Sequence, residues 1–108
     1  MAQFAVIGLG RFGAAASLEL IKMGHSVLGV DSDPKLVDKY ADRLTRAVIA
    51  DVSDSAAVAE LSLEHFDVVL VAIGEDMQAS LLCVVHLTSL GIREIWVKAS
   101  SHAQHLIL

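Results

Sequence analysis

The sequence predicts an α/β fold built on a doubly wound parallel sheet. Two observations predict it. Short apolar runs alternate with segments of helical periodicity along the whole chain, and the connections between them are short. Glycines and capping residues fall at the joints between the two kinds of segment.

The elements follow in order. Gln3 to Ile7 is an apolar strand running into a glycine turn. Arg11 to Met23 has helical periodicity, with Phe12, Ala15, Ala16 and Leu20 on one side and Gly24 as its closing glycine. Ser26 to Val30 is a second strand. Pro34 opens a helix behind Ser32 and Asp33, and that helix runs to about Asp42. Arg46 to Ala50 is the third strand, and Ser53 or Asp54 caps a helix extending to about Leu63. Phe66 to Ile73 is unbroken apolar sequence, as in a strand buried on both faces. Met77 to Leu90 is a strongly apolar helix ending at Gly91. Ile92 to Ala99 is the fifth strand, and Ser100 or Ser101 opens a last helix toward Leu108. A six-stranded sheet of this kind would need one more strand, so the expectation is a chain cut from a longer one or completed by a second subunit.

Composition narrows the functional classes. The 108 residues form one expected domain, residues 1–108, and 55% of them are apolar, with a mean hydropathy of +0.60. Such a surplus of apolar residues points to a surface covered by a partner. No apolar run approaches the ~18 residues of a membrane span, and no basic, signal-like start precedes the first strand. The single Cys83 rules out an internal disulfide and points to a reducing, cytoplasmic setting. A formal net charge of −5 argues against a general nucleic-acid binder.

Gly8-Leu9-Gly10-Arg11-Phe12-Gly13 matches G-x-G-x-x-G between a strand and a helix, the context that gives the motif meaning. It makes the fold Rossmann-type. Gly8 permits the tight turn, Gly10 lets phosphate approach the backbone, and Gly13 lets helix and strand pack closely. The helix N-terminus favours an anion, and Arg11 adds a fork of donors for phosphate oxygens. Asp31 ends the second strand near the expected spacing of about 20 residues. Its carboxylate suits ribose hydroxyls and repels a 2′-phosphate, which disfavours NADP without choosing among NAD, NADH, ATP and ADP. The bland alternative for Asp31 is a helix cap, a role for which Asp33 is better placed.

Ligands in open α/β sheets bind beyond the carboxyl ends of the strands. Asp51 and Val52, Ile73, Gly74 and Glu75, and Lys98, Ala99 and Ser100 occupy those ends. Asp51 suits an adenine amino group, Val52 the face of the ring, and Lys98 a phosphate or a partner carboxylate, with simple solvation of Lys98 nearly as good an account. No catalytic set emerges. His25 is expected exposed in a turn, His65 at a helix end, and His86 in a core or an interface. Cys83 is expected buried and inert. His102 and His105 have a metal-compatible spacing but no nearby carboxylate or thiol, so no metal is expected.

These segments together resemble a known family. Gln3 through Gly13, Val27-Leu28-Gly29-Val30-Asp31, Val71-Ala72-Ile73-Gly74, Gln78-Ala79-Ser80 and Ile95-Trp96-Val97-Lys98-Ala99 are similar to the RCK (KTN) domain, in the KtrA/TrkA-like group of bacterial potassium-uptake regulators. The resemblance spans almost the whole chain. It implies a regulatory subunit, not an enzyme, lying in the cytoplasm and peripheral to the inner membrane through a potassium channel or transporter subunit. It implies a homodimer that assembles into an octameric ring in full-length proteins, and ATP/ADP or NAD(H) as ligand. By the resemblance, Arg11 contacts phosphates, Asp31, Ser32 and Asp33 bracket the ribose, and Asp51 and Val52 border the adenine. Ile73, Gly74, Glu75 and Lys98 to Ser100 line the rest of the cleft. The family's chain continues through a further strand, a hinge helix and a C-terminal lobe. At Gln104 some relatives carry a histidine. The alternatives are the cofactor half of an NAD-dependent dehydrogenase and an NADH redox sensor, both of which share the fold.

Overall fold

The computed structural model describes residues 1–73, 77–92 and 94–98. The expected final helix, with His102, Gln104 and His105, lies outside them. Among the described residues, five strands form one parallel sheet: β1 (Gln3–Ile7), β2 (Ser26–Asp31), β3 (Arg46–Ile49), β4 (Val68–Val71) and β5 (Ile95–Val97). Their spatial order is β3-β2-β1-β4-β5. The chain therefore builds outward from β1 in one direction, then crosses over and builds in the other. That is the doubly wound Rossmann-type arrangement, and its switch point lies between β1 and β4.

Helices cover both faces: α1 (Arg11–Lys22), α2 (Pro34–Tyr40), α3 (Ser55–Glu60) and α4 (Met77–Ser89), with a 3-10 turn at Leu63–His65. Alternation along β1 sorts the core into two layers. Phe4 and Val6 join Leu9, Val27 and Leu70 beneath α1 and α2. Ala5 and Ile7 join Val30, Val58, Leu63, Val71, Cys83 and Leu87 beneath α3 and α4. Among the described residues, no helix is long and apolar enough to cross a membrane.

The expected elements are all present up to β5, but several are shorter or turned. β4 covers four residues, not eight, because it pairs only where β1 and β5 lie alongside it, Phe4 against Val68 through Ile7 against Val71. β5 is likewise cut to three residues, and α2 stops at Tyr40, not near Asp42. α1 buries the expected side only in part: Ala16 and Leu20 pack against the core. Gly13, Ala14 and Ser17 point inward, whereas Phe12 and Ala15 are exposed. The reason is close approach: a Cβ on Gly13 would collide with the carbonyl oxygen of Gly8, so small residues carry the contact and bulk does not mark it.

The cap of α3 is Asp54, whose side chain accepts from the Ala56 N–H at 3.0 Å; Ser53 is engaged elsewhere. The helix ends at Glu60, not near Leu63. Ser62 adopts a left-handed backbone (φ 54°), which breaks the helix and drives Leu63 fully into the core. His25 is half-buried, not exposed. Its Nδ1 accepts the Ala2 N–H at 3.0 Å, and its ring tilts against Phe4 with centroids 5.2 Å apart. Gly24 (φ 91°) closes α1 in the left-handed conformation, one residue beyond the cap Met23.

Candidate functional site

The carboxyl ends of four strands open into one cleft of roughly 350 Å³, within the range of about 300–1,000 Å³ typical of small-molecule sites. β1 contributes Ile7 and Gly8, β2 contributes Val30, Asp31 and Ser32, and Ile73 follows β4. Ala50, Asp51, Val52 and Ser53 follow β3. The topology places this opening at the switch point, where neighbouring connections leave the sheet in opposite directions.

The glycine turn forms the floor. Gly8 has φ 103°, and a Cβ there would strike the Ala72 carbonyl, so this position admits only glycine without strain. Gly8 N–H donates to the Val30 carbonyl at 2.7 Å, and Ala72 N–H donates to the Ile7 carbonyl at 2.7 Å. The turn is thus tied to both neighbouring strands. Gly10 differs from the other two. A Cβ there would meet nothing within 4 Å, so the space above it is open on the side of the helix end.

Gly10 caps α1 with no side-chain hydrogen bond, and no acidic residue stands in the first turn. The first N–H groups of the helix have no intrahelical acceptor. Together with the helix dipole they form a site that attracts an anion. Arg11 is exposed at this end. Lys98 Nζ lies 5.5 Å from the centroid of the half-exposed Phe12 ring, a cation–π contact that brings a second cation to the same end.

Asp31 is committed before any ligand arrives. One carboxylate oxygen accepts from the Leu9 N–H at 2.7 Å and the other from the Asp33 N–H at 2.8 Å. It therefore clamps the glycine turn to the end of β2, and each oxygen keeps lone-pair capacity for a hydroxyl. Leu9 enters the site through its backbone alone, since its side chain is buried in the core. Asp33 caps α2, accepting from the Lys35 N–H at 2.9 Å, and is not among the cleft-lining residues. Asp51 accepts from the Ser53 N–H at 2.9 Å and the Ser53 hydroxyl at 2.6 Å. These bonds hold its carboxyl below the usual carboxylate range.

Of the residues singled out in the sequence, Gly8, Asp31, Ser32, Asp51, Val52 and Ile73 line the cleft, while Gly10, Arg11, Phe12 and Lys98 stand at the helix end. Gly13 packs beneath. Gly74, Glu75, Ala99 and Ser100 lie outside the described residues. Sequence reasoning missed Ile7, Val30, Ala50 and Ser53 as part of the lining. Ile7 and Val30 lie at the carboxyl ends of β1 and β2 and Ala50 directly follows β3, positions that a strand assignment alone can locate. Ser53 was read only as a helix cap. Cys83 is fully buried, and burial pushes its thiol up to about 11, so it stays neutral and unreactive. Among the described residues no cluster of side chains could hold a metal ion.

The family described as TrkA-N domain matches residues 4–108. The Ktr system potassium uptake protein A of Bacillus subtilis (strain 168) is 46% identical over 106 residues, which cover 98% of this chain and 48% of that protein. Its namesake from Vibrio alginolyticus is 42% identical over 106 residues, again 98% of this chain and 48% of that protein. The chain thus spans about half the length of these curated relatives. Among solved structures, the NAD(P)-binding domain of an exopolyphosphatase-related protein from Archaeoglobus fulgidus superposes with a TM-score of 0.79 and is 29% identical, covering 94% of this chain and 77% of that one. The TrkA-N domain of inner membrane protein ybaL from Escherichia coli superposes with a TM-score of 0.78 at 17% identity, covering 94% and 76%. At that identity the likeness is one of fold.

Proposed function

The chain belongs to the TrkA-N domain family, and on that premise we propose that it is the nucleotide-sensing lobe of a regulatory subunit for potassium uptake. It binds ATP/ADP or NAD(H) and performs no chemistry on them. The observation that carries this reading is one juxtaposition. An uncapped helix N-terminus flanked by Arg11 and Lys98 opens beside a cleft lined by Asp31 and Asp51. Phosphates sit at the cationic end, ribose hydroxyls on Asp31 and Ser32, and the base between Val52 and Asp51. Gly74, Glu75, Ala99 and Ser100 belong to the same proposed site. Residues 1–108 act as one nucleotide-binding domain.

The relatives named Ktr system potassium uptake protein A support a membrane potassium channel or transporter subunit as partner, with the lobe on its cytoplasmic side. A homodimer, assembled into an octameric ring in the full-length protein, converts ligand identity into a change of shape. A ligand shifts such an equilibrium only by its differential affinity for the two states. Nucleic acid is not a partner.

NAD(H) as the ligand is favoured by one observation, the likeness to a domain described as NAD(P)-binding. Thermal unfolding with ATP, ADP, NAD, NADH and NADP at equal concentration decides the matter. A ligand at 100 times its dissociation constant stabilises by about 2.7 kcal/mol, which in a domain of this size raises the melting point by roughly 10 °C or more. The expected result is a large shift with ATP and ADP and little with NADP, whose 2′-phosphate meets Asp31. A shift confined to NAD or NADH removes ATP/ADP as the ligand and favours a redox sensor or a dehydrogenase half over an ATP/ADP sensor. No shift with any of them overturns the nucleotide site.

A further inference from the structure

The best-defined polar feature of the cleft outside the glycine turn is the pair Asp51 and Ser53. An exposed aspartate ordinarily samples several rotamers. Here two donors from one residue, the Ser53 N–H at 2.9 Å and the Ser53 hydroxyl at 2.6 Å, converge on the same oxygen, Oδ1. Both residues line the cleft. Two bonds to a single oxygen fix the plane of the carboxylate and select one rotamer. The second oxygen, Oδ2, receives no hydrogen bond among the described residues. The cleft therefore presents a preset acceptor that carries negative charge and can donate nothing. Ser53 is free for this task because Asp54, not Ser53, caps α3.

Such an acceptor distinguishes substituents at one ring position. A 6-amino purine offers it an N–H. A 6-oxo purine placed in the same pose offers a carbonyl oxygen, and two acceptors repel. Sites built around a polar group discriminate strongly because the wrong ligand leaves that group unpaired.

We infer that Ser53 is the positioning residue for base selection, holding Asp51 so that the cleft accepts a 6-amino purine nucleotide and rejects a 6-oxo one. This rests on the nucleotide reading above and adds to it the residue that sets base identity. Without the Ser53 hydroxyl, Asp51 keeps its charge and the bond from the residue-53 N–H but is held in its direction by one donor, not two.

Isothermal titration of the chain with ADP and with IDP tests the inference, in wild type, Ser53→Ala and Ser53→Thr. The expected wild-type preference for ADP is about tenfold or more, the scale of a hydrogen bond to a charged group. Ser53→Ala lowers that preference at least about threefold, chiefly by weakening ADP. Ser53→Thr, which keeps both donors, restores it. An exposed position outside the helix cap leaves the unliganded melting point nearly unchanged. If Ser53→Ala binds ADP and IDP in the wild-type ratio, whether both weaken together or neither changes, Ser53 does not position the acceptor and the inference falls while the nucleotide site stands. If wild type binds neither nucleotide, the site reading falls and takes the inference with it.

Discussion

A methyl group placed on Gly13 would land on the carbonyl oxygen of Gly8, whereas one placed on Gly10 would meet nothing within 4 Å. Gly10 also has φ −72°, which any residue adopts. The two glycines of one motif thus answer to different demands, and alanine separates them. Gly13→Ala forces a Cβ against the Gly8 backbone where α1 packs on the glycine turn, and its expected cost is about 3 kcal/mol of stability. Gly10→Ala leaves stability within about 1 kcal/mol of wild type, because the unliganded fold has room and the unfolded chain loses freedom. Its effect falls on ligand affinity, which drops by at least about tenfold if phosphate occupies the open space above it. Urea unfolding paired with ADP titration checks both, and equal nucleotide affinity in wild type and Gly10→Ala would mean that phosphate does not lie there. The spacing G-x-G-x-x-G was legible in the sequence, as was an acidic residue at the end of β2. The clamp from Asp31 to the Leu9 N–H was not, because it joins residues brought together only by pairing of β1 with β2. Ser53 was half legible: its hydroxyl was expected to satisfy backbone at a helix start, and it satisfies a neighbouring carboxylate instead.

Apolar runs and periodicity located the five strands and four α-helices among the described residues, missed the 3-10 turn at Leu63–His65, and erred where size and hydrophobicity part company. On α1 the fully buried residues are Gly13, Ala14 and Ser17, which a search for bulk passes over, while Ala16 and Leu20 of the expected side are only partly buried. On α3 nothing in the sequence marks the left-handed Ser62, since no glycine or asparagine stands there. α4 shows the opposite case, in which bulk is plentiful on every side and the structure decides which part is core. Ser80, Cys83 and Leu87 are buried at helical spacing. Leu81, Leu82 and Val85 remain 37%, 43% and 61% exposed. That exposed stripe is the expected homodimer surface of the proposed regulatory subunit. Val85→Asp places a charge on it without touching the core, so the stability of the isolated chain should change by no more than about 0.5 kcal/mol. Sedimentation should show a dimer in wild type and a monomer in the variant at the same high micromolar concentration. A variant that stays dimeric would remove α4 from the interface.

α4 also reaches the cleft proposed to take the nucleotide. His86, on the helix, has Nδ1 3.4 Å from the carbonyl oxygen of Val52, a residue of the cleft lining. The proposed ligand site and the expected dimer surface are therefore separated by little more than the Val52 loop and α4. If nucleotide binding and dimerisation share it, thermodynamics makes the coupling reciprocal: the ligand that favours association must bind the dimer more tightly by the same factor. ATP and ADP differ only at the phosphate end, where Arg11 and the open N-terminus of α1 stand. A third phosphate gives Arg11 more to hold, so Arg11 is the group able to turn phosphate number into a difference between states. The dimer dissociation constant, measured by sedimentation with saturating ATP and with saturating ADP, should differ between the two ligands by about fivefold or more, the lower range of allosteric couplings. In Arg11→Ala the two constants should converge while ADP binding persists. The same dissociation constant with either nucleotide in wild type would mean that the chain senses adenine without sensing phosphate number. A difference that survives in Arg11→Ala would assign the sensing to the helix end itself, or to Lys98 held over Phe12.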